Sequence, residues 1–106
     1  MGQPETRLVQ KIRKAIIAQH PEAFIVKLAG GPYQTPGLPD LLVCLGGRFV
    51  GLEVKARRAG ESEDHARARA TGIQEATLAA IREAGGVAEV VLSVDEALSV
   101  LSKKIN

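Results

Sequence analysis

The stretch from Asp40 to Lys55 constrains the fold of this chain more than any other. Asp40-Leu41-Leu42-Val43-Cys44-Leu45 is a nearly all-apolar strand, and Gly46-Gly47 follows it with two residues that tolerate positive φ. The segment Arg48–Lys55 then returns as an antiparallel partner, with Phe49 and Val50 early and Glu53-Val54-Lys55 at its end. Pairing through a two-residue turn sets Asp40, at the start of one strand, beside the end of the other. Side chains alternate across a strand, so Glu53 and Lys55 face the same side. Two carboxylates and a lysine converge.

The remaining chain supplies what such a hairpin needs for burial. Residues 4–19 read as a helix, with Leu8, Val9, Ile12, Ala15 and Ile16 on one side and Arg7, Lys11, Arg13 and Lys14 on the other. Pro4 suits the first turn, and Pro21 stops the helix soon after Gln19. Residues 23–28 form a short strand, and 30–37, rich in glycine and proline, form a loop leading directly to Asp40. Residues 56–71 are polar, charged and small, which predicts a mobile surface loop. Residues 72–84 read as a helix whose buried face is Ile73, Thr77, Ala80, Ile81 and Ala84, ended by Gly85-Gly86. A strand over 87–92 follows, then a capping box of Ser93 and Glu96 opening a last helix through Leu101. The order α-β-β-β-α-β-α implies an α/β sandwich, a small mixed sheet flanked by helices.

With 106 residues the chain is expected to be one domain, able to bury about two thirds of its unfolded surface without disulfides. The lone Cys44 excludes an intramolecular disulfide and a cysteine-cluster zinc site, and its apolar run predicts a buried, inert thiol. No apolar run approaches the roughly 18 residues of a membrane span, and no signal peptide is evident, so an intracellular, cytoplasmic protein is expected. Charge is unevenly spread. Residues 1–60 carry nine Lys/Arg against four Asp/Glu, a net of +5, whereas residues 61–106 carry five against eight, a net of −3. The basic half holds the convergent carboxylates, which suits a polyanionic substrate.

Metal-assisted cleavage of a phosphodiester needs hard oxygen ligands and a means of generating and orienting hydroxide. Asp40 and Glu53 supply such oxygens, and the backbone carbonyl of Val54 offers a third. Lys55 is placed to reach the attacking water or the scissile phosphate as a compact cationic donor. The ordinary alternative is that Asp40 caps a turn after Pro39 while Glu53 and Lys55 form a solvated pair. The matching strand ends, the preceding Gly/Pro-rich loop and the flanking Lys27, Arg57 and Arg58 favour the site.

Gly37-Leu38-Pro39-Asp40-Leu41, then Glu53-Val54-Lys55, then Gln74 at a helix start, resembles the PD-(D/E)xK nuclease superfamily, and within it the VRR-NUC (virus-type replication-repair nuclease) group. The resemblance spans nearly the whole chain. It implies a restriction-endonuclease-like sandwich, with Asp40 and Glu53 as ligands of Mg²⁺ or Mn²⁺ and Lys55 assisting the nucleophile. It further implies that Gln74 supports the catalytic set from its helix, and that Glu5 approaches the metal directly or through a bound water.

Expected DNA contacts are Lys27, Tyr33, Gln34, Arg57, Arg58, Arg67 and Arg69. His20 reads as a helix-end residue and His65 as a solvated loop residue. The resulting expectation is a metal-dependent DNA endonuclease of viral (phage) or prokaryotic origin. A domain this small covers little duplex, so a homodimer acting on branched DNA, as in Holliday-junction resolution, is the favoured form. The rivals are a flap- or end-directed repair nuclease, an inert nucleic-acid-binding module and a purely structural α/β domain.

Overall fold

The computed structural model describes residues 4–28 and 35–105. Its elements are α1 (Pro4–Gln19), β1 (Phe24–Lys27), β2 (Leu41–Leu45), β3 (Arg48–Val54), α2 (Glu63–Arg67), α3 (Gly72–Glu83), β4 (Val87–Val91) and α4 (Val94–Ile105). The strands form one mixed sheet in the order β1-β2-β3-β4, antiparallel except where β3 meets β4. The β2–β3 turn is the expected one: Gly46 (φ 59°) and Gly47 (φ 76°) both adopt the left-handed conformation that matches strand twist.

Alternation decides which side chains enter the core. Leu41, Val43 and Leu45 of β2 and Val50, Leu52 and Val54 of β3 turn to one face. Val9, Ile12 and Ile16 of α1, together with Ala97 and Leu101 of α4, join them in a single apolar cluster. Burying a Leu or Ile side chain is worth roughly 1.5–3 kcal/mol, so this aliphatic cluster is the main source of stability. On the opposite face α3 covers β3 and β4, with Leu78 buried and Ile81 packed, beside Pro39, over Gly51.

Four details differ from the sequence reading. Cys44 is exposed, because it occupies an outward position on the half of the sheet that α3 leaves uncovered. It sits in register between Phe24 on β1 and Phe49 on β3, which are 64% and 40% exposed, so both phenylalanines of the chain lie outside the core. The buried face of α3 centres on Leu78, while Ile73 is exposed. Residues 56–71 are not an open loop: they include α2, capped by Ser62, which accepts from the His65 N–H, and they bury Glu61 and Ala66. Finally, α4 continues past Leu101 to Ile105.

Arginine side chains explain why the 56–71 segment folds. Arg67 donates to the Val90 carbonyl (2.9 Å) and to Glu96, tying α2 to β4 and α4. Glu96 also accepts from the Leu92 N–H, closing the start of α4 where a reciprocal bond to Ser93 was expected. Composition suggested solvation; long-range pairs supplied order.

Candidate active site

The site is built at one end of the hairpin. Leu41 pairs with Leu52, so Asp40 and Glu53 lie one step beyond, where the two strands end together. Two contacts hold Asp40. Its backbone carbonyl accepts from the Leu28 N–H (2.9 Å), and its Oδ2 accepts from the Val54 N–H (2.7 Å). Gly37 brings the preceding loop into place: with φ 84° it passes Ile73 so closely that an added Cβ would meet the Ile73 Cγ2 at 2.4 Å. Lys55 extends from the end of β3, its N–H bonded to the Val91 carbonyl (3.1 Å), and its Nζ lies 3.4 Å from Glu53 Oε2. Glu53 is 2% exposed and Lys55 9%, so this is a recessed pair and not the solvated one that a surface strand would give.

Burial of this much charge has an electrostatic consequence. Desolvation pushes the Asp40 carboxyl above the ordinary carboxylate range, against the opposing pull of the Val54 N–H and the Lys55 ammonium. Desolvation and then the charge of Asp40 push Glu53 up to about 7, with Lys55 only partly offsetting them. The cluster therefore holds more negative charge than its own lysine neutralises.

An open cleft of about 760 Å³ reaches this cluster, with Glu5, Thr6, Lys27, Asp40, Arg57 and Arg58 among its walls. Lys27 and Arg58 are exposed, and their side chains make no ion pair among the described residues. Arg57 is also exposed, but its Nε and Nη2 both donate to the Glu61 carbonyl (3.0 and 2.7 Å). Arg67 and Arg69, expected as phosphate contacts, are engaged inside the molecule: Arg67 with Glu96 and Val90, Arg69 with Glu61, Glu5 and Ala56. Gln74 is turned to its own helix. It and Thr71 form a capping box, Thr71 N–H to Gln74 Oε1 (2.9 Å) and Gln74 N–H to Thr71 Oγ1 (3.2 Å). Tyr33 and Gln34 lie outside the described residues. His65 is exposed, and His20 follows α1 beside Glu22, as the sequence suggested.

The sequence reading overlooked Glu61. Its carboxylate accepts from the Arg58 N–H (2.8 Å) and from Arg69, and these bonds, the Arg69 pair foremost, hold it down at about 2. The available signal was an acid set within a run of arginines. For Gln74 the signal was Thr71-Gly72-Ile73-Gln74, which fits the capping-box pattern.

No protein-family model matches the chain, and no curated protein does. A solved structure described as a VRR_NUC domain does, at 25% sequence identity and a TM-score of 0.66, with 96% of this chain and 98% of that one covered. The chain folds as a VRR-NUC domain.

The VRR-NUC fold brings Asp40, Glu53 and Val54 to one point, and their chemistry suits a hard divalent cation. Asp40 and Glu53 are closely set oxygen donors whose mutual repulsion Lys55 only partly offsets, and the Asp40 carboxyl is oriented by the Val54 N–H and by a bond to Glu53. Among the described residues no three His, Cys, Asp or Glu side chains cluster closely enough to hold a metal by themselves. Two carboxylates with a backbone carbonyl and water are thus the donor set on offer, and Glu5, paired with Arg69, stands outside it.

Proposed function

We propose that this VRR-NUC domain is a nuclease that hydrolyses DNA phosphodiester bonds with Mg²⁺ or Mn²⁺. The observation that carries this reading is the recessed Asp40–Glu53–Lys55 cluster, reached through Asp40 from a cleft whose walls include Lys27, Arg57 and Arg58. Bound at Asp40 and Glu53, a divalent cation supplies Lewis acidity and a water of lowered pKa. The residues do the rest. Asp40 is held by the Val54 N–H and presents its carboxylate as a ligand. Glu53, here paired with Lys55, would hold the cation beside Asp40, and the Lys55 ammonium would then be free to orient the attacking water and to offset charge on the phosphate. Lys27 and Arg58 steer and hold the strand by its phosphates.

The finer form of the proposal is an endonuclease selective for branched DNA and acting as a homodimer. The exposed row of Phe24, Cys44 and Phe49, with Phe24 at 64%, supports it by offering an apolar surface for a second copy. The test is cleavage of flap, splayed-arm, four-way and linear DNAs with Mg²⁺ or Mn²⁺, with the Glu53→Ala protein as control, and the mass in solution measured in parallel. Metal-dependent cleavage lost in Glu53→Ala is the expected result. Binding without cleavage under either metal would overturn the nuclease reading; a monomer without preference for four-way DNA would overturn only its finer form.

A further inference from the structure

Arg69 sits where three parts of the chain meet. Its Nε and Nη2 donate to the two carboxylate oxygens of Glu61 (2.9 and 3.1 Å), its Nη1 donates to Glu5 Oε2 (3.1 Å), and Nη2 also reaches the Ala56 carbonyl. The side chains of Arg69 and Glu61 are 17% and 5% exposed, so this is an internal clasp and not a surface pair. A guanidinium gripped by both oxygens of a buried carboxylate has its plane fixed, and the remaining N–H groups then point in set directions. One of those directions is Glu5.

Glu5 lies in the first turn of α1 and lines the cleft together with Asp40. Arg69 binds one of its carboxylate oxygens, and the other has no hydrogen bond among the described residues. Ala56 directly follows Lys55, so the same guanidinium also ties down the exit of β3. The charge of Glu5 acts on both Asp40 and Glu53, which is consistent with its place at the edge of their cluster.

We propose that Arg69 is a positioning residue acting through Glu5: it holds that carboxylate at the cleft, where its open oxygen strengthens binding of the cation at Asp40 and Glu53. This inference rests on the nuclease reading. Groups that orient the surroundings of a metal without touching it typically contribute 10–100-fold in affinity. Arg69 is thereby assigned to the centre's assembly and not to the DNA.

A double-mutant cycle read as Mn²⁺ affinity by titration calorimetry, without DNA, tests it. Arg69→Lys keeps the positive charge and removes the planar fork, so a change reports geometry and not net charge. The expected result is about a tenfold loss of Mn²⁺ affinity in the native background, and no further loss when the same change is made in Glu5→Gln. Glu61→Gln, which loosens the anchor and keeps the guanidinium, is expected to give a smaller loss that also vanishes in Glu5→Gln. It serves in place of Arg69→Lys should circular dichroism show that variant unfolded. Equal losses in both backgrounds would show general support of the fold and overturn the role assigned to Arg69, as would unchanged affinity. Absence of Mn²⁺ binding by the native protein would overturn the metal centre and this inference together.

Discussion

Val54 donates its backbone N–H to Asp40 Oδ2 over 2.7 Å, although 14 residues separate the two. Strand pairing alone does not require this bond; it forms because Asp40 stands just before β2 and turns its carboxylate along the end of β3. The backbone thus fixes one oxygen while the carboxyl also bonds to Glu53, so the structural contact of Asp40 is separable from the ligand task proposed for it. Asp40→Asn, whose amide oxygen can accept the same bond, is expected to melt within a few degrees of the native protein. Its cleavage should fall by roughly a thousandfold or more, as expected when a metal and its activated water are lost. A fluorescent-substrate assay beside a thermal melt checks both halves.

Lys55 faces Glu53 at 3.4 Å and is almost fully buried. Lys55→Met keeps the aliphatic stem and removes the ammonium. Turnover is expected to drop roughly 10²–10⁴-fold, with Mn²⁺ still bound in a calorimetric titration. Cleavage at the native rate would deny Lys55 any part in handling the water or the phosphate.

Glu53, raised from 4.5 to about 7 by burial and by Asp40, makes the metal-free protein pH-sensitive in a defined direction. A carboxyl with a raised folded-state pKa binds its proton more tightly in the folded state. Its stabilising contribution is therefore full below about pH 4.5 and is lost as pH rises through about 7. In chelator, unfolding free energy is expected to decline across that window by up to about 3 kcal/mol. Glu53→Gln should flatten the decline, as read by urea titrations at several pH values. Mn²⁺ affinity should rise over the same window, because the cation requires the ionised carboxylate.

Glu61 carries the opposite sign. Its carboxyl is lowered to about 2 by Arg69 and the Arg58 N–H, so its contribution is present above about pH 4.5 and lost as pH falls toward 2. Glu61→Gln is expected to begin acid unfolding at a higher pH than the native protein, followed by far-ultraviolet circular dichroism. An unchanged acid transition would show that the clasp does not stabilise the fold.

The parts of the fold visible in the sequence are those governed by short-range rules. Gly46-Gly47 specified the turn, alternation placed Glu53 and Lys55 on one face, and the spacing of Val9, Ile12 and Ile16 marked the buried side of α1. Cys44 was misplaced because an apolar strand does not reveal how much of each face its helices cover. The folding of residues 56–71 was hidden for a different reason. Its order comes from Arg67 reaching Glu96 and Arg69 reaching Glu5, partners 29 and 64 residues away that no local pattern encodes. Ser62 ahead of two acids was the one local hint of α2. Gln74 shows a second local pattern beside the one read: its position suggested the site, and its side chain in the structure bonds to Thr71, three residues earlier.

The span between Glu5 and Arg69 also sets when the contacts around the Asp40–Glu53–Lys55 cluster can form. Synthesis releases the hairpin bearing Asp40, Glu53 and Lys55 before Arg69, and Lys55 gains the Val91 carbonyl only once β4 has docked parallel to β3. Closing contacts over such separations is slow relative to forming a hairpin. A growing chain thus displays Asp40, Glu53 and Lys55 early and completes the contacts around them only after β4 has emerged and docked, so the geometry of this cluster is an internal report that the chain has folded through Val91.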